Sequence, residues 1–340
     1  MIITTAEELR MNIPAHALDD VSSLTGFIEN SENDFLKDKL GDALFLKLKE
    51  FYKTLDNPLT LIGSVNDNIQ LGYYEQLLQI SQRIVSFDAM ARAISVQAIS
   101  VNGAGVNVAT PDDYPKADEK AVLAFKNSCT KEAHSAVNYL LQTLEQWAKI
   151  VETKEATDEL KEIVSLWKYS RYYFLAANLL IPSAQVLQEY LNIYDSREKF
   201  IQMLPDLRNV QEDLIAPSVG EDFLDELIAV AIKGTKDRLL SRIIHKLRKA
   251  MAAGLEERTN VLKIDAGRKQ KAHDERIFHI KSVVDILASE KVQFMENKDY
   301  ESFSGAYKTT PFFKETIQQK GERFENNEKG NVMFVMPGLH

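Results

Sequence analysis

Two long stretches of this chain follow one design, and they restrict its fold more than any other feature. Residues 74–98 place Leu77, Ile80, Ile84, Phe87 or Asp88, and Ala91 on one stripe, then run into a short extended segment, 99–105. Residues 238–261 place Leu239 or Leu240, Ile243, Leu247, and Ala250 or Met251 on one stripe, then run into 262–267. Apolar residues at this period make a helix that is stable only when other elements cover the stripe. The 340 residues include only 14 Gly and 9 Pro, which suits long helices better than a many-turned β fold. The expected fold class is all-α (mainly helical), with one or two small β-hairpins and an internal duplication of a multi-helix unit.

The remaining segments extend the helical reading. Thr5 and Glu8 have capping-box spacing at the start of a short helix that Pro14 ends. A helix is expected over 18–30, with Ser31 as a fresh cap for the next, which carries Phe35, Leu36, Leu40, Leu44, Phe45 and Leu48. A glycine in mid-helix costs about 1 kcal/mol relative to alanine, so Gly41 marks a break or a close backbone approach. Residues 55–68 read as a loop. Alternation around Asn102-Gly103 predicts a hairpin near 96–108. A long helix over 118–147 follows, with Cys129 on its apolar stripe.

The charged connector 152–159 is the expected boundary between two repeats. Beyond it come an aromatic helix, 162–180, stopped by Pro182, and a Ser183-capped helix, 183–191. Helix 196–204 ends at Pro205, and helices 210–215 and 221–232 are interrupted by Pro217. The basic helix 238–258 and a last helix, 272–297, complete the second repeat. The divisions expected are 1–150, 160–300 and an irregular tail, 301–340, ending in the apolar, β-prone stretch 331–337.

The repeat has an internal alignment. Pairing Gly41 with Gly220, an offset of 179, brings Leu36, Leu44, Phe45 and Leu48 against Ile215, Phe223, Leu224 and Leu227. An offset of 163 pairs Leu77, Ile80 and Ile84 with Leu240, Ile243 and Leu247. The longer loop of the first copy absorbs the difference. The match lies in hydrophobic type and order, so unrelated amphipathic helices align similarly; the shared glycine-bearing exit is harder to obtain by chance.

Charge is unevenly spread. The chain carries −9 overall, yet residues 236–271 hold 11 Lys and Arg against 4 Asp and Glu. A basic block on an acidic protein meets nucleic acid or an acidic partner, or is a solvated helix face. Arg238, Arg242, His245 or Lys246, and Lys249 recur every three to four residues, opposite the apolar stripe. Arg238, Arg242, Lys246 and Lys249 are the candidate contacts to DNA or an acidic partner. Val332, Phe334, Val335, Asn102 and Gly103 are candidate assembly contacts, since an apolar strand or hairpin pairs within the chain or with a neighbouring subunit.

Catalytic and cofactor chemistry finds no motif. Gly103-Ala-Gly105 lacks phosphate-loop spacing and leads into a hairpin instead of a helix. His273, Glu275 and His279 lie close together without an HExxH pattern. No GxSxG elbow is present, and the lone Cys129 reads as a buried core thiol that excludes an intrachain disulfide. The aromatic set Trp167, Tyr169, Tyr172, Tyr173 and Phe174 reads as core before partner surface. No enzyme activity, cofactor or metal is expected. The N-terminal stretch lacks the pattern of a secretory signal, and no apolar run reaches membrane-spanning length.

The segments IITTAEELR, FLKDKLGDALFLKL, YYEQLLQISQRIVSFDAMARAISVQAISVNGAGV and AVNYLLQTLEQW together resemble uncharacterised Bacteroidetes phage and prophage proteins of the head–tail connector (head-completion) type. The resemblance covers residues 1–150 and, more weakly, 197–300. It implies a non-enzymatic, all-α subunit that assembles as a homo-oligomeric ring at the portal, receives the tail and surrounds DNA passing non-specifically. Its implied partners are portal and tail proteins, and its implied location is the virion or the bacterial host cytoplasm, with no membrane. This chain is longer than a minimal connector subunit and carries the apparent duplication.

Overall fold

Helices build almost all of the described residues, and the fold is all-α. The computed structural model describes residues 1–13, 21–56, 71–97, 99–102, 105–108, 119–153, 156–174 and 178–313. These form two units. Unit 1 is Met1–Ala176 with Ser196–Glu198, and unit 2 is Ala177–Asp195 with Lys199–His340. The boundary therefore falls at Ala176, not in the charged connector, whose first residues still belong to a long helix. Among the described residues no helix is long and apolar enough to cross a membrane.

Unit 1 opens on the expected capping box. Helix α1 (Ala6–Asn12) starts where Thr5 Oγ1 accepts from Glu8 N and the Glu8 carboxylate accepts from Thr5 N. That carboxylate is buried, and it also accepts from Thr4 N at 2.8 Å, Tyr52 Oη at 2.8 Å and Gln82 Nε2 at 3.1 Å. Several donors are needed to offset the desolvation of a buried charge. Buried Glu32 plays a similar part, accepting from Ile2 N and pairing with Lys49 at 3.5 Å.

Ser31 does not open a helix. A 3-10 turn (Ser22–Leu24), α2 (Thr25–Asn30), a π-helical stretch (Ser31–Leu36) and α3 (Lys37–Leu40) follow one another directly. Ser31 is buried and its hydroxyl donates to the Val85 carbonyl, a tertiary bond that replaces the local cap. The run stops at Gly41, whose φ of +81° suits glycine, and α4 (Asp42–Lys53) begins there. Helix α5 (Tyr73–Gln97) packs along α6 (Glu119–Thr153). Between them β1 (Ile99–Asn102) and β2 (Gly105–Val108) pair antiparallel, with Ile99 opposite Val108 and Val101 opposite Val106. Val96 remains helical, so the extended segment starts later than its alternation suggests.

Helix α7 (Asp158–Trp167), capped by Thr157, closes the unit. The expected helix over 162–180 ends at Trp167, and the next residues turn to bring Ser170 against Gly41. A Cβ on Gly41 would sit 3.1 Å from Ser170 Cα, and Ser170 Oγ donates to the Lys39 carbonyl at 2.9 Å. Trp167, Tyr172 and Phe174 are buried, while Tyr169 is exposed.

Unit 2 follows a similar succession. After α8 (Ala184–Gln188), capped by Ser183, helix α9 (Arg197–Val210) runs through Pro205. A π-helical stretch (Gln211–Ile215) and α10 (Ala216–Val219), with Pro217 inside, continue it. Proline's fixed φ is helical and each ring removes a single donor, so neither proline ends the run. Gly220 does, with φ +90°. Then come α11 (Glu221–Lys233), α12 (Arg238–Arg258), α13 (Ala266–Ser289), α14 (Lys291–Glu296) and α15 (Glu301–Thr309). The extended exit expected at 262–267 forms no strand: Asp265 caps α13, and Ala266 and Gly267 are its first residues. The tail expected to be irregular from 301 begins as α15, which packs on α11 through Phe223, Phe303 and Tyr307. Thr310 then meets Gly220, with Thr310 Cα 3.3 Å from a would-be Cβ.

Burial also sets the register between the long helices. Leu240, Ile243, Ile244, Leu247, Ala250, Met251 and Leu255 are buried, and an offset of 166 takes them onto Tyr74, Leu77, Leu78, Ser81, Ile84, Val85 and Ala89, all buried. The offset of 163 instead pairs Ile243 with the less buried Ile80. The two differ by about one helical turn, which hydrophobic periodicity cannot distinguish.

Adding a Cβ at Gly41 or Gly220 combines positive-φ strain with a collision against backbone. Gly41→Ala and Gly220→Ala should each destabilise by about 1–3 kcal/mol. Gly305→Ala, in a helix with open space around it, should stabilise by up to about 1 kcal/mol. Urea unfolding of the three variants checks the order, and equal effects would contradict it.

Candidate functional site

The basic helix α12 is positioned by its cap and its apolar stripe. Asp237 accepts from Leu240 N at 2.6 Å, and its other oxygen accepts from Tyr300 Oη at 2.7 Å. Burial, then Asp237, push the Tyr300 phenol up to about 12. With Leu240, Ile243, Leu247 and Met251 buried, the opposite side of the helix faces outward. Arg238, Arg242 and Lys249 are exposed and Lys246 is half-buried. None of the four enters an ion pair among the described residues. At 100° per residue Arg238, Arg242 and Lys249 lie within about 40° of one another, and Lys246 stands at the edge of that face. Two other cations of the helix are committed inward: Arg248 Nε donates to the Leu180 carbonyl at 2.9 Å, and Arg258 pairs with Asp213 at 2.7 Å.

Beside this face lies a cavity of about 270 Å³, bordered by α12, α13 and the Glu189-Tyr190 segment. His245, Lys249 and His279 line it. Tyr190 Oη is 3.0 Å from His245 Nδ1. Burial, then Lys249, Lys246 and Arg248, hold His245 below its ordinary pKa. Burial, then Lys249 and Lys246, do the same to His279, whose Nδ1 is buried without a hydrogen-bond partner. Arg268 also lines the cavity but is held by Glu256 and by Glu275 at 3.3 Å.

The HDERIFH segment is thus divided among separate partners. His273 meets Glu257 at 3.0 Å, together with Arg276 at 2.9 Å. Glu275 holds Arg268, and His279 borders the cavity. Among the described residues no three His, Cys, Asp or Glu side chains form a metal-ligating group. Cys129 is buried, and burial pushes its thiol pKa up.

Unit 1 holds a charge cluster that sequence reasoning missed. Buried Lys39 donates to Tyr172 Oη at 2.5 Å and Asp38 Oδ2 at 3.0 Å, and lies 3.4 Å from Glu198. Glu198 also meets His134 Nδ1 at 2.7 Å. Neighbouring Arg197 forms a buried ion pair with Glu145 at 3.1 Å, and its N–H donates to Asn138. Residues 196–198 return to unit 1 in space, and nothing in their local sequence signals that return.

The α5–α6 pair extends beyond the unit 1 core. Among the described residues, the last buried one of α5 is Ala93, and α6 has none before Cys129. The leading ten residues of α6 span about 15 Å at 1.5 Å per residue. Exposed Val96, Leu123 and Phe125 lie on these segments. Asn102 lies in β1, which follows α5 after Ala98. Gly103, Val332, Phe334 and Val335 lie outside the described residues.

Over residues 36–150 the chain is similar to a protein family described as "Family of unknown function (DUF6712)". That span runs from the end of the first π-helical stretch to near the end of α6. No curated protein and no solved structure matches the chain.

The Lys39 cluster carries a pH signature. The hydrogen bond to Glu198 raises the His134 pKa, so its contribution to stability is complete below about pH 6.5 and is lost as pH rises through the raised value. Glu198 has a lowered pKa; burial opposes the shift, and His134 followed by Lys39 outweigh it. Its contribution is complete above about pH 4.3 and fades as pH falls through the lowered value. His134→Ala should therefore flatten the loss of stability from pH 6.5 to 8, read by urea unfolding at each pH; an unchanged slope would contradict the assignment.

Proposed function

We propose that the protein is a non-enzymatic structural protein of the phage or prophage head–tail connector type, acting by oligomeric assembly at the portal. The observation that carries this reading is the α5–α6 arm, with Val96, Leu123 and Phe125 exposed along helices that outrun their own core. An apolar arm of this kind costs solubility unless a neighbour covers it. A helical unit bearing such an arm suits a subunit that engages copies of itself in a ring. The partners of this reading are portal and tail proteins, with DNA passing through non-specifically, in a virion or the bacterial host cytoplasm.

An ancestral duplication accompanies the proposal. Each unit has a π-helical stretch, a four-residue helix, a positive-φ glycine, two long packed helices and a closing helix. The residue three beyond Trp167 or Tyr307 then meets that glycine. Hydrophobic pattern alone does not require a positive-φ glycine struck by a closing turn, so the shared device supports common descent of the halves.

Sedimentation of the purified chain over a wide concentration range tests the assembly. Discrete multimers should form, and Leu123→Glu with Phe125→Glu, or deletion of 99–108, should dissolve them. A chain that stays monomeric at high concentration and does not associate with portal protein overturns the reading.

A second reading has its own observation: Arg238, Arg242, Lys246 and Lys249 are free of ion pairs on the outer side of α12. Here the protein is a nucleic-acid-associated binder that contacts backbone phosphates without reading bases. Four such contacts predict that log K falls with log salt at a slope of about −3 to −4. Reversing the four charges should abolish binding to a DNA duplex, and absence of binding by the unaltered chain at low salt would sink this reading.

A further inference from the structure

We infer that the cavity between α12, α13 and Tyr190 is a binding site for a phosphate group, held by Lys249, His245 and His279. The inference stands whether the outer face of α12 meets nucleic acid or not.

Three features of the cavity converge. It is large enough for a tetrahedral oxyanion with water, at about 270 Å³. Its cationic group, Lys249, has no carboxylate partner among the described residues. The carboxylates at its edge are largely committed: Glu256 and Glu275 both hold Arg268. Glu189 is the remaining acid on the lining, and it also acts on His245.

The two histidines supply donors of suitable kind. If Tyr190 Oη donates to His245 Nδ1, the neutral ring carries its proton on Nε2, a donor available to an anion. His279 also lines the cavity; its Nδ1 is closed off without a hydrogen-bond partner, which leaves Nε2 as the ring nitrogen to meet a ligand. Around the rings, Lys246, Arg248 and Lys249 from α12 oppose protonation, while Glu189 and, from α13, Glu275 favour it. A bound phosphate adds negative charge beside both rings. It therefore favours their protonated forms and gains a donor from each ring that protonates.

Titration of the histidine ring signals by NMR, on the full chain, tests the site with inorganic phosphate as probe. Sodium chloride at matched ionic strength is the control, because salt screening of Lys246 and Lys249 by itself raises the midpoints. Phosphate should raise the His245 and His279 midpoints by about one pH unit beyond chloride. Lys249→Met should remove that excess, with its unfolding curve showing that the chain remains folded. A short DNA duplex in phosphate-free buffer separates the sources of the group. A shift with duplex as well assigns the site to a nucleic-acid backbone, and a shift with inorganic phosphate alone assigns it to a free phosphate. Equal midpoints in phosphate and chloride, or an excess that survives Lys249→Met, overturns the proposal.

Discussion

Each unit depends on one close approach of backbone to backbone. Gly41 and Gly220 have no side chain and a positive φ, and each accepts the residue that follows the unit's closing helix. The approach ties the start of the helical succession to its end. It fixes where α4 and α11 begin and where the chain must turn after Trp167 and after Tyr307. It also places those two aromatics, both fully buried, next to the crossing. Packing of the long helices then follows from their apolar stripes, which do not specify where the unit closes.

Buried charge is the second organising constraint, and it is distributed unequally. In unit 1 Glu8 and Glu32 gather backbone donors from the first five residues, Glu8 also accepts from the side chains of Gln82 and Tyr52, and Glu145 neutralises Arg197. Removing one partner of such a pair is far more costly than never having buried it. These contacts make the N-terminal residues and the 196–198 return integral parts of the unit 1 core. Unit 2 closes with an aromatic cluster of Phe223, Phe294, Phe303 and Tyr307, which needs no charge compensation.

Much of the helical architecture was legible because it rests on local rules. The Thr5–Glu8 capping box, the Ser183 cap, the break at Gly41, the bounds of α12 and the burial of Cys129 follow from spacing and residue type. The misreadings share a tertiary cause. Ser31 looked like a cap but spends its hydroxyl on Val85, and Pro205 and Pro217 looked like stops but fit inside helices. The alignment of the long helices at an offset of 163 is not unique, because hydrophobic periodicity is degenerate by about a turn. Of the candidate site, the cationic face was readable as a stripe. The cavity was not, because Tyr190, His245 and His279 meet only in the folded unit.

The two halves use equivalent long helices for different ends. On α5 the cations are occupied: Arg83 pairs with Glu132, and Arg92 with Asp88 and Asp34. Exposed Val96 lies at the end of that helix. On α12 the outward cations form no ion pair among the described residues, and His245 and His279, both held below their ordinary pKa, line a cavity beside them. Unit 1 carries its exposed apolar residues on the α5–α6 arm. In unit 2, Arg238, Arg242 and Lys249 form no ion pair among the described residues, and a protein face without negative charge would leave those cations desolvated and uncompensated.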